Sequence, residues 1–120
     1  MDKTITIEEL KKLIQEFCEK RDWDQFHNPK DLAIGISTEA NELLDLFRFK
    51  NEDEMRVIMD TDSKKQLVKE ELADVFFFVL RFAQMNKIDL HEALIMKLDK
   101  NNKKYPADKV KGNNKKYNEY

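Results

Sequence analysis

Glycine and proline are nearly missing from this chain, with two of each in 120 residues. All-β folds turn often and place these residues at their turns, so counts this low point to long helices. Hydrophobic spacing agrees. Ile7, Leu10, Leu13, Ile14 and Phe17 repeat at helical intervals behind a Thr6/Glu9 capping box, which predicts a first helix to about Arg21. Asn28-Pro29 offers an N-cap followed by proline at the first helical position, opening a second helix to about Phe49. Ser63 with Gln66 reads as a capping box for a third helix, to about Asn86. Asp89 with Glu92 starts a fourth, which Pro106 must end nearby. Lys50 to Asp62 is a polar, acidic connection with room for a short helix or a mobile lid. Ala107 to Tyr120 is rich in Lys and Asn and lacks an apolar stripe, the pattern of a tail that is poorly ordered or lies on a neighbouring subunit. The expectation is an all-α fold with a four-helix core, a single domain over residues 1–106 and a polar tail over 107–120.

Charge and cysteine content narrow the function classes. Lys and Arg total 22 against 24 Asp and Glu, so no global field draws the chain to a nucleic-acid polymer or an anionic membrane. The longest apolar run, Val75 to Leu80, is far too short to span a bilayer, and the first residues do not read as a signal peptide. Cys18 is the only cysteine, which excludes an intrachain disulfide framework and a cysteine zinc cluster. These features fit a cytoplasmic location.

Two acidic pairs carry the chemistry: Glu39-Ala-Asn-Glu42 and Glu71-Leu-Ala-Asp74. Three residues apart on a helix, the members of each pair share a face. Leu32, Gly35, Leu46 and Phe49 lie on the stripe of the first pair, and Leu67, Phe78 and Phe82 on that of the second. Carboxylates on a core-facing stripe are costly unless something offsets their desolvation. A solvated helix would tend to place Lys or Arg four residues after each Glu; here Leu43 follows Glu39, Val75 follows Glu71 and Phe78 follows Asp74. Four such acids from two helices suit a hard cation held by oxygen ligands, most simply Mg2+, with Mn2+ as a substitute. Asp45 and Glu70 fall off the stripes and read as surface or supporting groups. Asp24 and His27 have the spacing of a carboxylate–histidine metal pair, but a di-iron centre needs two E-x-x-H motifs and the chain has none, so His27 is assigned to structure or to a pocket rim.

The two pairs, separated by 28 residues, resemble the signature of the MazG-like all-α nucleoside triphosphate pyrophosphohydrolases. Arg21-Asp22-Trp23-Asp24-Gln25-Phe26-His27 resembles the segment before the first acidic helix in the dCTP pyrophosphatase branch. Lys97-Leu-Asp-Lys-Asn101-Asn-Lys-Lys104-Tyr105-Pro106 resembles that branch's C-terminal motif. The resemblance runs in order over roughly residues 5 to 106. It implies a Mg2+-dependent enzyme that cleaves a nucleoside triphosphate between the α and β phosphates, giving monophosphate and pyrophosphate in a house-cleaning role with dCTP-like preference. It also implies a homo-oligomer, a dimer or a dimer of dimers, with the tetramer favoured. The apolar excess over Leu43 to Phe49 and Val75 to Val79 spans more than one helix face and fits a covered surface.

Carried over position by position, Glu39, Glu42, Glu71 and Asp74 become the catalytic metal ligands. Lys97, Asn101, Lys104 and Tyr105 become phosphate and sugar contacts, the lysines acting as point charges. Trp23, Phe26, Phe49 and Phe78 become a slot for the base, since aromatic faces stack bases by roughly 1–3 kcal/mol. Phe76, Phe77 and Phe82 are assigned to the core. Phe49 and Phe78 stand where dCTP-preferring relatives tend to carry Trp or Tyr, and Ile14 where such a relative has a polar residue; these departures bear on base preference. Two other classes compete: a helical regulatory module that binds nucleotide or metal without turnover, and a structural bundle with surface acids. The complete acidic set argues against the former; metal-dependent thermal stabilisation would set the latter apart.

Overall fold

A computed structural model describes residues 1–114 of the chain. The chain divides into two compact units, Met1–Lys87 and a second that begins at Ile88. The first contains α1 (Ile7–Glu19), a 3-10 turn (Asp24–Phe26), α2 (Pro29–Asp45), α3 (Glu52–Asp60) and α4 (Asp62–Met85). The second contains α5 (Leu90–Lys104) and a single turn, α6 (Ala107–Val110). The architecture is all-α, and no strand occurs among the described residues.

In the first unit, α4 is the central element. It packs most extensively on α2, then on α1, then on α3. The shared core comprises Cys18 of α1, Leu32 of α2, and Val68, Leu80 and Ala83 of α4. A fully buried leucine such as Leu32 contributes about 2 kcal/mol. Gly35 sets how closely α2 and α4 approach. A Cβ built there would lie 2.6 Å from Cδ1 and Cε1 of Phe78 and 2.9 Å from its Cγ. The Phe78 ring therefore rests on the bare backbone of α2, and only glycine leaves room for it.

Most helix starts follow the local signals. Thr6 accepts from the Glu9 N–H at 3.1 Å, Asn28 from the Asp31 N–H at 2.8 Å, and Asp89 from the Glu92 N–H at 2.8 Å. The Ser63/Gln66 box is not used. α4 begins two residues earlier, at Asp62 rather than Lys64, with Thr61 in place of Ser63 at the N-cap position and no side-chain cap. The Thr61 hydroxyl instead donates to the Val57 carbonyl at 2.6 Å, so it serves the end of α3. The connection expected over Lys50 to Asp62 holds a true helix, α3, opened by a complete capping box between Asn51 and Glu54.

Three further expectations need correction. α2 ends at Asp45 rather than near Phe49: beyond it the Leu46 and Phe47 N–H groups turn to the Leu43 and Leu44 carbonyls at 3.2 and 2.9 Å, and Phe49 adopts a left-handed backbone (φ 65°) that no right-handed helix can include. Phe76, assigned to the core, is 42% exposed, and Leu67 is 51% exposed; both belong to an apolar surface of α4 rather than to the interior of this unit. The tail, expected to be poorly ordered or to lie on a neighbouring subunit, opens with the single turn α6, while residues 115–120 lie outside the described residues.

Candidate active site

Glu39 and Glu42 sit on α2 and Glu71 and Asp74 on α4, the two helices that pack most closely in the first unit. One carboxylate oxygen from each of the four lies within 4.8 Å of the others. Glu39 and Glu71 are half-buried, while Glu42 and Asp74 reach solvent. Oε2 of Glu39 and Oε2 of Glu71 are buried and have no hydrogen-bond partner. Such orphaned acceptors normally cost about 1–3 kcal/mol each.

The electrostatics follow from this crowding. Burial, then the hydrogen bond and charge of Glu42, then the charges of Asp74 and Glu71, push the Glu39 carboxyl up to about 7. Glu71 is raised by burial, by Glu42, and by the charges of Asp74 and Glu70. Asp45, off this cluster, instead lies 3.9 Å from Arg48. Four mutually repelling carboxylates, two of them with buried unpaired oxygens, have the chemistry of a hard-cation cage. The residues present fit a divalent metal.

The other expected site residues fall into separate groups. Trp23 makes an edge contact with Phe17 at 5.7 Å between ring centroids, Phe17 meets Phe77 at 5.9 Å, and Phe77 meets Phe78 at 5.2 Å. Trp23 and Phe78 thus belong to one run of aromatic rings, which His27 extends beyond Trp23 at 6.1 Å. Phe26 and Phe49 lie outside that run; Phe49 is 88% exposed, with the Arg48 guanidinium 4.7 Å from its ring centroid. Lys97, Asn101 and Lys104 lie on α5 in the second unit, at spacings of four and three residues that keep them near one face, with Tyr105 as the C-cap. Lys97 is exposed, whereas Asn101, Lys104 and Tyr105 are half-buried. Cys18 is a fully buried thiol, raised by that burial, and serves as core.

Sequence reasoning missed Arg81. Its side chain is fully buried on α4 and binds Asp24 through Nη2, His27 Nδ1 through Nε at 2.9 Å, and Gln84 Oε1 through Nη1 at 2.6 Å. The Asp24/His27 spacing was a real signal, but for an arginine clamp rather than a metal. A lone Arg inside the run Val75 to Ala83, the most apolar stretch of the chain, was the available clue.

Comparison with known proteins is decisive for the family. A family model for the MazG-like family matches residues 34–120. The chain belongs to the MazG-like family. Among curated relatives of this MazG-like chain, human dCTP pyrophosphatase 1 is 33% identical over 114 residues, covering 95% of this chain and 67% of the relative. The mouse dCTP pyrophosphatase 1 is 34% identical over 112 residues, covering 93% and 66%. The chain spans about two thirds of the length of these relatives. The crystal structure of a pyrophosphatase from Archaeoglobus fulgidus superimposes with a TM-score of 0.77 at 38% identity, covering 83% of this chain and 92% of that one. The enzyme class is that of the nucleoside triphosphate pyrophosphohydrolases, and the acidic cluster provides a place where a metal could bind.

Proposed function

We propose that this MazG-like protein hydrolyses a (deoxy)nucleoside triphosphate between the α and β phosphates in the presence of Mg2+, with dCTP or a close analogue preferred. The observation that carries the reading is the set of four carboxylates on α2 and α4 with their ligand atoms within 4.8 Å of one another. The dCTP preference is supported by the similarity to the dCTP pyrophosphatase 1 relatives named above and by the resemblance of the Trp23 segment to that branch.

Glu39, Glu42, Glu71 and Asp74 hold the metal in this reading. When bound, the cation neutralises charge that builds on the phosphate oxygens during bond cleavage. The half-buried Glu39 and Glu71 fix the inner side of the cage through α2 and α4, and the exposed Glu42 and Asp74 face the solvent from which substrate enters. Glu42 adjoins both Glu39 and Glu71 and is the candidate to accept a proton from the attacking water. Trp23 and Phe78, in the same ring series, supply base contacts, with Phe26 and Phe49 as further members of the slot. Lys97, Asn101, Lys104 and Tyr105 bind phosphate and sugar. The catalytic domain is taken as residues 1–106 with 107–120 as a tail. The working form is a homo-oligomer, a tetramer or a dimer, supported by the apolar groove along α4 formed by Leu72, Ala73, Val75, Phe76 and Val79. No helix among the described residues is long and apolar enough to cross a membrane, and a cytoplasmic site of action is consistent with that.

Incubation of the purified protein with a panel of dNTPs and NTPs, with Mg2+ or EDTA, tests the reading by product chromatography. Monophosphate plus pyrophosphate formed only with Mg2+ is the expected result, with dCTP or a close analogue turned over fastest. Diphosphate plus orthophosphate would overturn the bond assignment. Nucleotide binding without any turnover would favour a non-catalytic nucleotide- or metal-binding module.

A further inference from the structure

Arg81 is a charge with no solvent contact, and among the described residues every polar partner it has outside its own helix belongs to the turn between α1 and α2. Arginine carries five donors and no acceptor, so each of its contacts dictates what the partner must be. Asp24 accepts from Nη2 as a carboxylate, and its side chain is 50% exposed. His27 accepts from Nε through Nδ1, which places the ring proton on Nε2 and holds the ring in one tautomer. Burial and the Arg81 charge both lower the His27 pKa, in keeping with a neutral ring. Gln84, one turn further along α4, fixes the guanidinium plane from below at 2.6 Å.

The two clamp points adjoin the two aromatic residues of the turn. Asp24 directly follows Trp23, and His27 directly follows Phe26. Beyond these contacts the turn is held by short-range bonds such as the Trp23 N–H to the Cys18 carbonyl at 3.1 Å. The helix that carries Arg81 also carries Glu71 and Asp74, with Asp74 about two turns upstream. One rigid element thus sets both the acidic cluster and the turn.

We infer that Arg81 is a positioning residue for base recognition, fastening the Trp23–Phe26 turn through Asp24 and His27 to the helix that carries half of the acidic cluster. The inference rests on the reading of Trp23 and Phe26 as base contacts. Arg81 touches neither substrate nor metal in this arrangement; it acts by keeping two aromatic faces in register with the phosphate end of the site. Pre-ordering of this kind lowers the entropy lost on binding, so its removal affects KM more than the chemical step.

Trp23 is the only tryptophan, so its fluorescence reports on the turn directly and without reference to activity. The test compares the full-length wild type with Arg81→Lys, which keeps the charge but loses the fork, with Asp24→Asn at the half-exposed partner, and with Trp23→Ala. Each is first checked for helical circular dichroism and for a retained Mg2+-induced thermal shift. Trp23 is 38% exposed in the wild type, and in Arg81→Lys and Asp24→Asn its acrylamide quenching should rise further, toward that of free indole. KM for dCTP should rise about tenfold, the scale of one weakened base stack, while kcat stays within about twofold. Unchanged quenching in both folded variants would overturn the clamp. Raised quenching with an unchanged KM, while Trp23→Ala does raise KM, would overturn the role in recognition. An unchanged KM in Trp23→Ala would instead overturn the base-slot reading on which the inference rests, whatever the quenching shows.

Discussion

Gly35→Ala isolates the contact that joins the two acidic helices. The added Cβ would sit 2.6 Å from two ring atoms of Phe78, about an ångström inside normal carbon–carbon contact. The ring cannot swing away freely, because its other side meets Phe77 edge-on at 5.2 Å. Overpacking of this kind costs about 1–3 kcal/mol. Against it stands the gain of replacing glycine by alanine inside a helix, about 1 kcal/mol. The expected net is a loss of roughly 0–2 kcal/mol, read as a fall of up to about 8 °C in Tm for a chain of this size. Function should suffer more than stability. Gly35 lies one turn before Glu39 and Phe78 one turn after Asp74, so the wedge opens at the end of the acidic cluster. A shift of a few tenths of an ångström between α2 and α4 should weaken Mg2+ binding, measured by titration of the thermal shift. Phe78→Leu in the same chain removes the ring and should restore much of the loss, a coupling that a double-mutant cycle would register. If Gly35→Ala raised Tm by the full helix-propensity gain and left Mg2+ affinity intact, the close approach of the two helices at this point would be refuted.

Three further outcomes follow from the acidic cluster and the α4 surface. With Glu39 raised from about 4.5 to about 7, the metal-free folded state holds a proton that the unfolded chain has released, so this group's contribution is present below pH 4.5 and is lost as pH rises through 7. Metal-free Tm should therefore fall from pH 5 to pH 8 while the Mg2+-induced shift grows over the same interval; calorimetry showing an equal or smaller shift at pH 8 would contradict this. Glu42→Gln and Asp74→Asn should each lower kcat by orders of magnitude, yet raise the metal-free Tm by relieving like-charge repulsion; full activity in either would remove that residue from the metal set. Leu72→Lys, at a position 55% exposed on the α4 groove, should reduce the solution mass measured by light scattering, whereas an unchanged mass would show that a second copy does not cover this face.

What the sequence revealed, and what it hid, divides by the range of the interaction. Thr6, Asn28 and Asp89 announced their helices because a cap is a bond between residues three apart. The Asn51/Glu54 box had the same form and was passed over inside a segment too short and polar to show a stripe. Ser63 misled because an equally good signal does not decide which of two adjacent starts the chain uses; the preceding helix took Thr61 for its own end and fixed the start at Asp62. The acidic pairs were legible for a different reason. Each broke the rule that apolar stripes stay apolar, and two breaches of one rule implied a common cause before their meeting could be seen. Arg81 breached the same rule once, 57 residues from Asp24, and a single breach names no partner. The two cases also differ in energetic terms. Arg81 has found its counter-charge and acceptors within the fold, so it is complete as it stands. Glu39 and Glu71 have not: their buried oxygens remain unpaired and their charges repel. Such a cluster is relieved by a proton or by a cation from outside the polypeptide, which is the physical reason to look for the chemistry at the four acids rather than at the buried arginine.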